Sequence, residues 1–154
     1  SMDETRPGEA MGTPAYMPPE QAIGAIDKLD RRSDVFGLGA ILCELLTGKP
    51  PFVGPDVEST RQLAARAKLD DAFERLDGCG AEPELVALAK RCLSPEQDER
   101  PRDGGELAGA IASLRRQAEE RARRAELRPL PPTRRSRSLP AGGPSRGRRS
   151  SDRR

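Results

Sequence analysis

An all-α body followed by a basic, unfolded tail is the fold class this sequence predicts. Three observations carry it. No segment alternates apolar and polar residues with a period of two, so no strand is expected. Apolar residues recur instead at helical spacing in stretches that begin near Ser33, Pro83 and Asp103. From Leu127 to Arg154, 22 of 28 residues are Arg, Pro, Ser or Gly and the periodicity ends, the composition of a disordered segment.

Ser1 to Ala10 is polar and holds the pair Pro7-Gly8, which reads as loop. Gly12 to Glu20 carries Pro14, Pro18 and Pro19 and is expected to be ordered turn, neither helix nor strand. Ser33 is expected to cap the strongest helix, with Asp34 in its first turn. Val35, Leu38, Leu42 and Leu45 on one side, with Phe36, Ile41 and Leu46 on others, make this helix apolar nearly all round and predict burial. Gly37 and Gly39 inside it cost about 1 kcal/mol each relative to Ala, so close packing is expected to require both. Gly48 ends the helix, and Pro50-Pro51 forbid its continuation.

Asp56 to Lys68 reads as a mostly exposed helix and Asp70 to Leu76 as a short one. Pro83 opens an amphipathic helix to Leu93, with Leu85, Leu88, Ala89, Cys92 and Leu93 spaced to share a face. Pro95 and Pro101 bracket a loop. The last helix is predicted from Asp103 to about Arg124, with Leu107, Ala110, Ile111 and Leu114 on one face. There is no internal repeat.

Composition narrows the chemistry. Of 154 residues, 34% are apolar and 3% aromatic, so the core is small or part of the chain does not fold. The net charge of +2 conceals an asymmetry: Arg115 to Arg154 carries +10, which leaves −8 on the preceding body. Cys43, Cys79 and Cys92 include no Cys-x-x-Cys pair, and the chain has no His. A zinc site and a Cys–His nucleophile are therefore not expected, and the thiols read as reduced, cytoplasmic cysteines, with Cys43 and Cys92 in the core. No stretch approaches the ~20 apolar residues of a membrane span, and the N-terminus has no signal-peptide core. The Arg-rich tail lacks the aromatic residues that stack on bases, so it is expected to be a solvated linker and not a nucleic-acid binder. Its abrupt onset would also suit a shifted reading frame.

Four motifs then occur in order. Gly12-Thr13-Pro14-Ala15-Tyr16-Met17-Pro18-Pro19-Glu20-Gln21 resembles the end of the activation segment of Hanks-type protein kinases, with Pro18-Pro19-Glu20 where Ala-Pro-Glu is usual. Arg32-Ser33-Asp34-Val35-Phe36-Gly37-Leu38-Gly39 looks like the start of that family's central helix. Leu45 to Phe52 looks like the turn after it. Cys92-Leu93 followed by Glu99-Arg100-Pro101 looks like a loop between two late helices. The resemblance covers Met11 to about Leu114. It implies the C-terminal helical lobe of the kinase fold, of the serine/threonine type and of bacterial wording.

The resemblance also implies roles. Glu20 and Arg100 would form a buried ion pair tying the activation segment to the late-helix loop, a task suited to the planar fork of Arg. Without the resemblance they would be two solvated surface charges. Asp34, otherwise a helix cap, would anchor the backbone of the catalytic loop. Gly12, Thr13, Pro14 and Tyr16 would line the substrate-docking loop. Thr5 lies where activation loops are phosphorylated. On this basis residues 1–11 are an activation-loop remnant, 12–114 a partial kinase domain, 115–126 a charged helical extension and 127–154 a disordered tail.

The complete family domain uses ATP and Mg to phosphorylate Ser or Thr of protein substrates. That chemistry needs a Gly-rich phosphate loop, a strand Lys, a helix Glu, His-Arg-Asp and Asp-Phe-Gly. None occurs here; without His, His-Arg-Asp is impossible, and Asp34-Val35-Phe36-Gly37 is a chance likeness inside a helix. The expectations are therefore no catalytic or metal residue and no cofactor in this chain, a missing N-terminal lobe as partner, and an apolar face left exposed on the central helix. A non-catalytic kinase-like interaction module is the alternative.

Overall fold

The computed structural model describes residues 12–132, 141–143 and 147. Six α-helices make up the body: α1 (Pro19–Ala22), α2 (Arg31–Thr47), α3 (Val57–Ala65), α4 (Asp70–Asp77), α5 (Pro83–Cys92) and α6 (Gly104–Glu126). Single 3-10 turns lie at Pro14–Tyr16, Ile26–Lys28 and Gln97–Glu99. Among the described residues there is no strand, and the arrangement is that of a helical C-terminal lobe. The segment 1–11 with Thr5, and most of the tail predicted to be disordered, lie outside the described residues.

Helix α2 is the axis of the body. Its cap lies three residues before the predicted one. Asp30 is the cap, its Oδ1 accepting the Arg32 amide at 2.8 Å, while Ser33 Oγ accepts the Asp30 amide at 3.3 Å. Ser33 therefore sits in the third helical position of a capping box, and the cap role open to Asp34 falls to Asp30. The helix stops at Gly48, whose φ of +80° is a left-handed conformation only Gly adopts without cost. Arg75 of α4 reaches across to this end and donates to Thr47 Oγ1 (2.6 Å) and to the carbonyls of Lys49 (3.0 Å) and Pro50 (2.9 Å).

Two apolar clusters surround α2. The larger joins Met17, Phe36, Ala40, Cys43, Phe52, Leu76, Ala89 and Leu93, with the Phe36 and Phe52 rings stacked at a centroid distance of 6.1 Å. The smaller joins Val35, Leu88, Cys92 and Leu107 between α2, α5 and α6. Gly39 and Gly37 differ sharply. A Cβ on Gly39 would stand 2.5 Å from the Cβ of Cys92, so α2 and α5 can touch only at a glycine. A Cβ on Gly37 would meet nothing within 4 Å, so the packing need expected for that residue is absent.

Three further expectations need correction. The segment Gly12 to Glu20 is not turn alone: Pro19 occupies the first position of α1, where a missing amide is harmless, and Glu20 is helical. On α5, Val86 is buried while Leu85 is only half-buried, because this helix packs on two sides, toward α2 and toward α6. Helix α2 is not buried all round as its composition suggested, whereas the exposed apolar face expected on it from the resemblance is present. Leu38, Ile41 and Leu45 lie along one open face and are 45%, 50% and 77% exposed. Cys43 and Cys92 are buried, and burial pushes both thiols up, Cys92 to about 11.

Beyond Leu114, α6 is exposed apart from half-buried Ala118. Pairs four residues apart, Arg115–Glu119 (2.9 Å) and Glu120–Arg124 (2.7 Å), lace it, and Arg121 reaches Glu82 at 3.5 Å. No helix of the described residues is long and apolar enough to cross a membrane.

Candidate functional site

Two structures within the body bring chemistry-bearing residues together. The first is an exposed turn. Gly12 enters with φ +132°, and Pro14–Tyr16 forms the 3-10 turn, closed by the Tyr16 amide on Thr13 O (3.1 Å) and the Met17 amide on Pro14 O (3.2 Å). Gly12 and Thr13 are exposed, Pro14 and Tyr16 half-buried, and Met17 is buried beneath them. Tyr16 donates its hydroxyl to Glu44 Oε2 on α2 at 2.5 Å. The phenol is raised above its ordinary value by that hydrogen bond first, then by burial and by the Glu44 charge.

The second is a buried ionic knot. Arg100 donates from Nη1 to Glu20 Oε1 (2.7 Å) and from Nη2 to Glu20 Oε2 (3.0 Å), a two-bond fork across 80 residues of sequence. The same guanidinium donates to the carbonyls of Ser94 (2.7 Å), Arg32 (3.1 Å) and Pro95 (3.3 Å) and lies 5.0 Å over the ring of Phe36. Ser33 Oγ donates to Glu20 Oε1 at 2.9 Å. The Arg100 side chain is fully buried and that of Glu20 is 6% exposed. Burial pushes the Glu20 carboxyl up, but its hydrogen bonds, led by Arg100, outweigh this and hold it below its ordinary value. The knot joins α1, the start of α2 and the loop before α6.

The other candidate residue lies apart from both. Asp34 is exposed, at the N-terminal end of the open face formed by Gly37, Leu38, Ile41 and Leu45. Two contributors escaped sequence reasoning. Ser33 looked like a cap, and nothing in its spacing announces a bond to Glu20. Glu44 belongs to no motif, and the 28 residues between it and Tyr16 leave no local signal.

A nucleotide and its metal would need a Gly-rich phosphate loop and converging ligand side chains. Among the described residues no three of His, Cys, Asp or Glu converge as a metal would need, and no Gly-rich phosphate loop exists in the sequence. No step can be derived through either group in this chain.

Comparison with known proteins is specific. Residues 2–108 match the family model described as protein kinase domain. The chain is 38% identical over 109 residues to serine/threonine-protein kinase pkn2 of Myxococcus xanthus, which covers 69% of this chain and 12% of that protein. It is 39% identical over 113 residues to the DNA damage-responsive serine/threonine-protein kinase RqkA of Deinococcus radiodurans, covering 73% of this chain and 16% of the relative. Against serine/threonine-protein kinase PknB of Mycobacterium leprae it is 36% identical over 96 residues, 62% of this chain and 15% of the relative. The chain thus spans only 12% to 16% of the length of these relatives.

Proposed function

The chain belongs to the protein kinase domain family, and from that premise we propose that it supplies the substrate-docking, helical part of a bacterial serine/threonine protein kinase and transfers no phosphate by itself. The complete domain would phosphorylate Ser or Thr of protein substrates from ATP and Mg. This part would present the acceptor segment. Gly12, Thr13, Pro14 and Tyr16 form the docking surface. Asp34 anchors a catalytic loop that an N-terminal lobe would bring, and the apolar face of Leu38, Ile41 and Leu45 beside it is where that lobe would seat. With its thiols reduced, the chain works in the cytoplasm.

The observation that carries this reading is the buried fork between Glu20 and Arg100. Desolvating two charges is costly unless geometry is excellent and every remaining polar site is bonded. Five donors of Arg100 and the Ser33 hydroxyl meet that condition. The result is a docking segment held rigidly from below, which is what presenting a hydroxyl for in-line transfer requires.

The test has two arms. The purified chain, given labelled ATP, Mg and a Ser/Thr protein substrate, is expected to incorporate no phosphate and to bind no nucleotide by calorimetry; robust autophosphorylation would overturn the proposal. In the second arm the DNA ahead of Met2 is read for in-frame His-Arg-Asp and Asp-Phe-Gly codons. Their presence supports the kinase reading. An unrelated sequence there favours the alternative, a non-catalytic module that uses the same docking surface to bind proteins.

A further inference from the structure

The outer face of α6 carries charge that the body does not use. Leu107, Ala110 and Leu114 seat the helix on the body, and Arg121, two turns past Leu114, continues that line to Glu82 and Glu84 at 3.5 and 3.9 Å. At about 3.6 residues per turn, Arg116 and Arg123 fall opposite Leu107 and Leu114, on one face and about 10 Å from each other. Arg115 pairs with Glu119 and Arg124 with Glu120 on either side, but among the described residues Arg116 and Arg123 meet no carboxylate. Arg123 lies in the last turn of α6 and complements the helix dipole. Arg116 is more than two turns from that end, where the dipole no longer acts. Two further features continue the stripe. Leu127 and Leu130, just past the helix, stand in solvent. From Arg128 to Arg154 the sequence then holds nine Arg against one acid, Asp152, and no aromatic residue.

We propose that the outer stripe of α6, Arg116 and Arg123, together with Leu127, Leu130 and the Arg-rich segment after them, binds an anionic lipid surface. The guanidinium groups would face headgroup phosphates and carboxylates, each Arg near such a surface strengthening binding about fivefold. The two leucines decide between lipid and nucleic acid. A duplex offers phosphates but leaves both side chains in water, and single strands bind through aromatic stacking, which this segment lacks. A bilayer interface buries them at the acyl boundary. The body, with −8 over Ser1 to Leu114, is repelled by the same surface. The part of α6 beyond Leu114, about 18 Å long, holds that body clear.

The full chain is sedimented with vesicles of phosphatidylcholine alone and of phosphatidylcholine mixed with phosphatidylserine, across a range of salt. Binding is expected to the mixed vesicles only, and to weaken as salt rises. The paired change Arg116→Gln and Arg123→Gln should weaken it about 25-fold. The paired change Leu127→Ser and Leu130→Ser should weaken it several-fold, yet leave any affinity for a labelled DNA duplex unchanged. All four side chains are exposed, so helix content by circular dichroism should stay the same in both variants. No binding to the mixed vesicles at low salt would overturn the proposal. Vesicle binding that ignores the Arg pair would overturn the part given to α6. Vesicle binding that ignores the Leu pair, or an equal loss on the duplex, would reduce the segment to a general polyanion binder and overturn the choice of lipid.

Discussion

Replacing Glu20 by Gln keeps the shape of the buried knot and removes one charge. The guanidinium of Arg100 would keep the carbonyls of Ser94, Arg32 and Pro95 but would face an amide nitrogen where Glu20 Oε1 or Oε2 now accepts. Both side chains are almost fully removed from water, so solvent cannot screen the loss. Breaking such a pair costs about 3–5 kcal/mol. Retention of three carbonyl acceptors puts Glu20→Gln near the lower end, and Arg100→Ala, which leaves Glu20 with Ser33 alone, near the upper. A body of this size has about 5–15 kcal/mol in total, so either change should remove a large share. Urea unfolding followed by circular dichroism is the assay. With a slope of about 1–3 kcal/mol/M, the Glu20→Gln midpoint should fall by about 1–3 M. The pH dependence gives an independent check. The Glu20 carboxyl is lower in the folded chain than unfolded, so its contribution is present above the unfolded value, near 4.5, and is lost as pH falls through the folded one. The gap between wild type and Glu20→Gln should therefore be widest near neutrality and narrow below about pH 4. An unchanged midpoint at neutral pH, or a gap that does not narrow in acid, would refute the view that this pair clasps the body.

The two helix glycines should respond in opposite directions. Gly39→Ala forces α2 and α5 apart and is expected to cost about 1–3 kcal/mol, whereas Gly37→Ala, with open space around it, should gain up to about 1 kcal/mol, both read from urea midpoints. The paired change Ile41→Lys and Leu45→Lys on the open face of α2 should leave stability within about 0.5 kcal/mol yet lower binding of a hydrophobic dye and self-association by light scattering; a large loss of stability would mean the face is packed. Alkylation at mildly alkaline pH should label half-buried Cys79 in the native chain and reach Cys43 and Cys92 only in denaturant, by mass spectrometry, because burial holds both thiols protonated.

Much of this protein was legible before its structure. Glycine and proline punctuation marked the end of α2 and the start of α5, since a residue free to take φ > 0 and a residue without an amide act locally wherever they occur. The periodicity of Leu107, Ala110, Ile111 and Leu114 marked one face of α6 for the same local reason, although Ile111 is exposed and only the other three pack inward. Motif order identified Glu20 and Arg100 as residues of interest, although nothing in their spacing states how many bonds they make. Boundaries were less legible. Asp30, Ser33 and Asp34 all have capping side chains, and only the path of the chain before α2 selects Asp30 and frees the Ser33 hydroxyl for Glu20.

Amino-acid order alone determined the helical class and the family likeness, because both depend on residue type at short, fixed spacing. Only the tertiary structure decided which face of α2 stays open, why Gly39 is required and Gly37 is not, and that Glu44 meets Tyr16. Those outcomes depend on how separate helices approach one another, and contact distances across 28 or 80 residues of chain have no counterpart in local sequence pattern.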